Sequence, residues 1–494
     1  MSLTQKFPNV RRITTLQNST QFPLRFLLIV PLLIGPGPLC VRAAGFAESN
    51  FGTTKPPAAP AQAPGTVEEG YSLLAGRNYP RAEAAFRSAL AAQPHSASAA
   101  RGLALTLWNE GKKSESVQEF TVAAQLSPDD FEAHYDLAKA AWGAAEPPAQ
   151  HGAEKTQSAS LIPAAGYRLL ALSEMRRAQE LRPKDADVQL SLAQLYLDTG
   201  KPKDAAVQAA QAARLDPSNP GVFVTLGQAY FAQGDDVRAT SEYQKAIQIN
   251  AHDPAPYMAL GQLRTRSGDL PGAEAAFRSA IQVAPTSGPA YAALGQILLQ
   301  THRDTQAQSL LARAVTLNPN EWESEYLLGK ALAEAGQFDQ AGTLFQKALE
   351  LNPGFPAARE QLALQMLRRG NLAGAVAQAQ ALFVQNPQSS EGHQVMALVL
   401  WKQRDYDGSL AECAQVLNSD SNSPRTLAVQ ALDLWQQRRR ADARRALVTA
   451  GKLQPKILSS QVFCRLVLCD AKDISIVGDF LQKNRWILNP PPDY

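Results

Sequence analysis

Residues 254–287 read PAPYMALGQLRTRSGDLPGAEAAFRSAIQVAPTS, and residues 288–321 answer with GPAYAALGQILLQTHRDTQAQSLLARAVTLNPNE. Both open on one half-motif, Tyr257…Leu260-Gly261…Gly268 and Tyr291…Leu294-Gly295…Leu298, which also occurs as Phe223…Leu226-Gly227…Tyr230…Gly234. A second half-motif follows, small-x-x-x-large-x-x-Ala-hydrophobic-x-x-x-Pro. It appears as Ala273…Phe277…Ala280-Ile281…Pro285, as Ala82…Phe86…Ala89-Leu90…Pro94 and as Ala341…Phe345…Ala348-Leu349…Pro353. Working outward, the closing position falls at Pro94, Pro128, Pro183, Pro217, Ala251, Pro285, Pro319, Pro353, Pro387, Ser421 and Pro455. Every step is 34 residues except Pro128 to Pro183, which is 55, or 34 plus an insertion of 21.

Within each unit, positions 4, 7, 8 and 11 share one face of a first helix, and positions 20, 24 and 27 share one face of a second. Small residues at 8, 20 and 27 let two antiparallel helices approach closely, and the large residue at 24 fills the gap between them. Glycine near 15 allows a tight connection, and proline at 32 stops the second helix. One pair cannot bury its own apolar face, so successive pairs must stack. The composition agrees: hydrophobic residues make up 45% but aromatics only 7%, so the core is built from small aliphatic side chains.

The pattern therefore predicts an all-α chain with eleven repeats over residues 66–455. The first repeat departs from it, with Glu69 in place of leucine and a stripe of Val67, Gly70, Tyr71 and Leu74. Terminal repeats are expected to be atypical. The 21-residue insertion is expected near 143–166, as a loop between the helices of the third repeat. Beyond Pro455, residues 456–494 read as capping helices (Val462 to Leu468 and Ile474 to Leu488) and a tail closed by Pro490-Pro491-Pro492.

The chain resembles the tetratricopeptide family, whose pattern is an aromatic at 4, Leu-Gly at 7 and 8, Tyr at 11, Ala at 20, an aromatic at 24, Ala at 27 and Pro at 32. The resemblance covers about residues 63 to 455. It implies a right-handed superhelical solenoid of stacked antiparallel helix pairs, used as a non-catalytic scaffold for other proteins. It also implies a concave groove lined by the first helices at about positions 2, 5, 9 and 12. Position 9 reads Gln194, Gln228, Gln262 and Gln296 in four consecutive repeats, then Lys330 and Leu364. A primary amide donates and accepts at once, so such a ladder can pair with a peptide backbone without reading its side chains. It resembles the asparagine ladder of O-GlcNAc transferase repeats, although no glycosyltransferase domain follows. The alternative is a row of solvated polar residues.

Position 12 carries Trp108, Trp142, Phe231, Trp401 and Trp435, and position 5 adds Leu190, Val224, Met258 and Tyr326. A surface this apolar is more than solvation needs, and tryptophans are typical binding anchors. The competing reading packs these side chains on the neighbouring pair. The Lys and Asn clamp with which the chaperone-tail type of repeat grips a terminal carboxylate is missing. Arg438, Arg439, Arg440, Arg444 and Arg445 form a basic run in the last repeat, read as a solvated helix edge or a contact for an acidic partner.

Six histidines (His95, His134, His151, His252, His302, His393) show no metal-ligand spacing. No phosphate-binding glycine loop, nucleophile elbow or zincin motif is present in the sequence, so neither catalytic residue, metal nor cofactor is expected. Cys413 and Cys464 fall at core positions 24 and 7, which reads as buried thiols, with a disulfide the alternative. Cys464 and Cys469 stand about 140° apart around one predicted helix, poorly placed to bond each other.

The formal charge of +3 counts five basic groups within residues 1–43. Without them 43 basic residues face 45 acidic ones, a net of −2, which lacks the footprint of a general nucleic-acid binder. The same segment holds the apolar run Phe26 to Ile34, broken by Gly35, Pro36, Gly37 and Pro38. That is short for a membrane span and normal for a signal-peptide core, with a small-residue cleavage site after Ala43. Leu39 before Cys40 argues against lipidation. Residues 1–43 are thus expected to direct export, to a periplasmic or secreted location, with an inner-membrane anchor over 26–39 as the alternative. Residues 44–65 read as a flexible Pro/Ala-rich linker. The expected function is an envelope scaffold that binds extended or helical segments of a protein partner in its groove. An accessory subunit of an export or assembly machine, docking folded partners, is the alternative.

Overall fold

A computed structural model describes residues 66–145, 164–469 and 471–484. The expected signal and linker, most of the insertion and the proline tail lie outside the described residues. Eleven helix pairs follow in order. They are α1 (Thr66–Ala75) with α2 (Tyr79–Ala92), α3 (Ala97–Asn109) with α4 (Lys113–Leu126), α5 (Phe131–Ala145) with α6 (Ala164–Leu181), and α7 (Ala186–Asp198) with α8 (Pro202–Leu215). Next come α9 (Pro220–Ala232) with α10 (Asp236–Ile249), α11 (Pro254–Arg266) with α12 (Leu270–Val283), and α13 (Gly288–Gln300) with α14 (Asp304–Leu317). The last four are α15 (Trp322–Glu334) with α16 (Phe338–Leu351), α17 (Pro356–Arg368) with α18 (Leu372–Gln385), α19 (Ser390–Lys402) with α20 (Tyr406–Ser419), and α21 (Pro424–Gln436) with α22 (Arg440–Leu453). A 3-10 turn, Pro455–Leu458, leads into α23 (Ser460–Val467) and α24 (Ala471–Lys483).

The boundaries have local causes. Asp185, Asn219, Asp253, Ser389 and Ser423 stand just before first helices and accept hydrogen bonds from N–H groups of the first turn, each worth about 1 kcal/mol. Position 15 takes a left-handed backbone in every repeat but the third. Glycine supplies it at Gly111, Gly200, Gly234, Gly268, Gly336 and Gly370, whereas Arg77, His302, Arg404 and Arg438 adopt it against the preference of a side chain.

Packing follows the size code of positions 8 and 24. A Cβ added to Gly227 would stand 2.5 Å from the Tyr243 ring, and one on Gly261 would stand 2.4 Å from Phe277. These glycines exist because the ring of the second helix lies directly against the first. Each pair then packs on the next, making the fold a helical solenoid. Successive first helices also touch one another, as α7 on α9, α13 on α15 and α19 on α21, so they crowd along one side of the stack.

In the third repeat the helices run into both ends of the expected loop, α5 to Ala145 and α6 from Ala164. The extra helix is held by burial: Ala145 and Tyr167 join the core, and the Tyr167 hydroxyl lies 3.2 Å from Ser114 Oγ. At the other end, α23 and α24 pack on the last repeat as a cap, with Phe463, Val467, Val477 and Phe480 buried. Between them Leu468 adopts the left-handed conformation (φ 57°, ψ 48°), and the N–H groups of Leu468 and Cys469 both reach the Cys464 carbonyl. This turn overturns the expectation that Cys464 and Cys469 point apart. That expectation assumed a continuous helix, and the chain instead folds back between them.

Candidate functional site

The four glutamines Gln194, Gln228, Gln262 and Gln296 sit at matching points of α7, α9, α11 and α13, all half-buried. Gln194 Oε1 is buried and has no hydrogen-bond partner among the described residues. A buried amide oxygen left unpaired costs about 1–3 kcal/mol, and a bound N–H group would remove that cost. One repeat before the ladder stands Lys139, and one repeat after it Lys330. Burial lowers the pKa of both ammonium groups. Lys330 is exposed, and its ammonium lies 5.8 Å from the Tyr326 ring centroid. Lys139 was missed as the counterpart of Lys330, although the 34-residue step alone places it there.

The aromatic positions turn out otherwise. Trp401 is fully buried and Trp435 is 6% exposed, so neither is the exposed anchor that the sequence suggested. The cap covers them. Phe480 of α24 meets Trp435 edge-on at 5.2 Å, and the Arg440 guanidinium lies 3.5 Å over the other ring system of that contact, Trp435. Trp108 and Trp142 are half-buried. Trp108 lies against the backbone at Gly143, and Trp142 Nε1 donates to Asp198 Oδ2 at 2.6 Å. Phe231 is half-buried beneath the Arg266 guanidinium, 3.5 Å from its centroid. At position 5, Val224 and Met258 are buried, and Tyr326 meets Phe355 at 4.9 Å. The apolar side chains of this face are largely consumed by contacts within the chain, and the amides are what it presents.

Charged groups add to this pattern. Burial, with Glu321 beside it, pushes the Glu323 carboxyl up to about 7. In α17, Glu360 is also raised by burial, while Arg425 of α21 pairs with it at 2.8 Å. The basic run of the last repeat is partly neutralised from within, since Arg439 and Arg445 pair with Asp442, while Arg444 donates to the Asn484 amide oxygen. Among the described residues no group of three His, Cys, Asp or Glu side chains is placed to hold a metal. None of the described helices is long and apolar enough to cross a membrane.

Two family profiles, both described as tetratricopeptide repeat, match the chain. One covers residues 67–131 and 168–220, and the other covers 198–263, 264–331 and 332–399. Together they span more than half of it. The chain belongs to the tetratricopeptide repeat family. Its TPR units thus account for most of the helix pairs, and a TPR protein is a scaffold for protein interaction. Curated proteins provide no match. Among solved structures, similarity extends to Pseudomonas aeruginosa pilF, 18% identical over 43% of this chain and 97% of that one, with a TM-score of 0.39. A TPR protein from Parabacteroides merdae is 15% identical over 50% and 98%, with a TM-score of 0.40. PilW, described as a type IV pilus biogenesis factor, is 17% identical over 41% and 94%, with a TM-score of 0.38. At these values none of them speaks to a partner of this TPR chain.

Proposed function

We propose that this protein is a non-catalytic scaffold of the cell envelope that holds an extended segment of a partner along α7, α9, α11 and α13. The observation that carries the reading is the half-buried amide ladder, with an unpaired oxygen at Gln194. Amides in a 34-residue register recognise backbone rather than side chains. Lys139 and Lys330 at the two ends favour a segment with acidic groups near its termini. Docking of folded partners on tryptophan ends has less support, because Trp401 and Trp435 are covered by the chain's own cap. Export rests on the apolar run and cleavage site within residues 1–43.

The test is a peptide-array screen against the chain lacking residues 1–43, followed by joint replacement of Gln228, Gln262 and Gln296 with alanine. Each lost amide pairing costs about 1 kcal/mol, so the triple variant should weaken binding about 100-fold. Unchanged affinity would sink the ladder. Fractionation of cells expressing the full chain tests the location, and recovery in the cytoplasm would refute it.

A further inference from the structure

Cys464 and Cys469 are five residues apart, but the left-handed turn at Leu468 brings the second back over the first. The Cys469 N–H donates to the Cys464 carbonyl at 2.9 Å, the six-to-one bond of a helix C-terminus whose flanking side chains meet. Each thiol stands near enough to the other to perturb its ionisation. Both thiols are half-buried and free. Cys413, by contrast, is fully buried in the core between α20 and α21.

The turn also decides where α24 starts. Asp473, in the first turn of α24, is buried and accepts at 2.5 Å from Nζ of Lys402, the last residue of α19, and at 2.9 Å from Nη2 of Arg404 in the turn that follows it. Those contacts hold the cap over Trp401 and Trp435. A bond across the turn would therefore fasten the hinge of the cap.

We propose that Cys464 and Cys469 are a redox pair that closes as an intramolecular disulfide, with a small-molecule disulfide as oxidant, and so fastens α24 onto the last repeats. Burial raises the pKa of both thiols, that of Cys469 further than that of Cys464, so Cys464 is the more readily ionised of the two and the attacking sulfur. Its thiolate attacks one sulfur of the oxidant, forming a mixed disulfide and releasing one thiol. Deprotonated Cys469 then attacks Cys464 Sγ, the Cys464–Cys469 bond forms, and the second thiol of the oxidant leaves. Two electrons pass to the oxidant, which is reduced to two thiols, and the two cysteine protons leave through solvent to those products.

The experiment treats the full chain with oxidised glutathione, blocks remaining thiols and digests with trypsin. Cleavage after Arg465 separates Ile457–Arg465 from Leu466–Lys472, so the bond shows itself as these two peptides joined, from an intact chain lighter by two hydrogens. In the oxidised chain the α24 amides should exchange about tenfold more slowly than in the reduced one, and Cys464→Ser and Cys469→Ser should each abolish the slowing. Free thiols or glutathione adducts without the joined peptides would overturn the proposal. So would a joined pair whose α24 exchanges no more slowly than in the reduced chain. The peptide and exchange readouts on the unmodified sequence decide the matter even where a serine variant fails to fold.

Discussion

His302 occupies a backbone conformation (φ 56°) that the equivalent Gly268 reaches without a side chain to accommodate. A left-handed residue other than glycine costs about 1–2 kcal/mol, only partly offset by the smaller unfolded-state freedom of histidine. His302→Gly should raise stability by about 0.5–1 kcal/mol, and Gly268→Ala should lower it by about 1 kcal/mol. Urea unfolding of both variants checks the pair of signs. Asp433 makes a different single-residue case. It is fully buried, and burial, opposed by a hydrogen bond from Ser409, pushes its carboxyl up to about 8. Ser409 Oγ lies 2.6 Å from Asp433 Oδ2 and 3.0 Å from the Ala397 carbonyl, and one hydroxyl proton cannot serve both. A protonated Asp433 resolves this by donating to Ser409, which donates onward. Because the folded pKa lies above the unfolded one near 4, this stabilisation is complete below about pH 4 and is lost as pH rises through about 8. Asp433→Asn should remove on the order of 3 kcal/mol from the fall in stability between pH 5 and pH 8. Unfolding curves at the two pH values, compared with the parent, measure it.

At the scale of helices, the pairing of position 8 with position 24 decides how closely two elements approach. Gly227→Ala puts a Cβ 2.5 Å from Tyr243 and should cost about 1–3 kcal/mol through overpacking. Gly478→Ala in α24, where a Cβ meets nothing within 4 Å, should be neutral or slightly stabilising. Thermal unfolding of the two distinguishes a packing requirement from a general intolerance of alanine. This pairing was legible in the sequence because both partners recur at one step and the cause is local. From α3 onward the first helices begin at position 1 and, α6 apart, the second helices begin at position 17, for the same reason. Trp401 and Trp435 were read as exposed because position 12 faces outward in a lone repeat. What covers them comes from α23 and α24, which carry no repeat pattern. The Cys464–Cys469 contact stayed hidden because Leu468, an ordinary helix former, gives no sign of a left-handed turn.

Over the whole molecule, the cap reaches back through the stack. Asp473 of α24 joins α19, and Arg465 of α23 pairs at 3.4 Å with Glu334 at the end of α15, 131 residues away. Asp473→Ala removes the carboxylate that Lys402 and Arg404 share, at a cost of about 3–5 kcal/mol for breaking a buried pair. That change should loosen the cap while leaving the central repeats folded. Tryptophan emission should shift to longer wavelength as Trp401 and Trp435 meet water, with little change in helix content. An unshifted spectrum would place the hold of the cap elsewhere.

The size code also fixes where the stack is mechanically weakest. In the fourth repeat positions 8, 20, 24 and 27 are all alanine, Ala193, Ala205, Ala209 and Ala212, each fully buried. The ninth repeat, which also has alanine at 8 and 24, recovers bulk from Leu382 at position 27. The seam between α7 and α8 therefore has only methyl groups at the four positions of the size code. Stretched between its two ends, the chain should yield first at this seam, and the first of the four glutamine positions lies on one of its two helices.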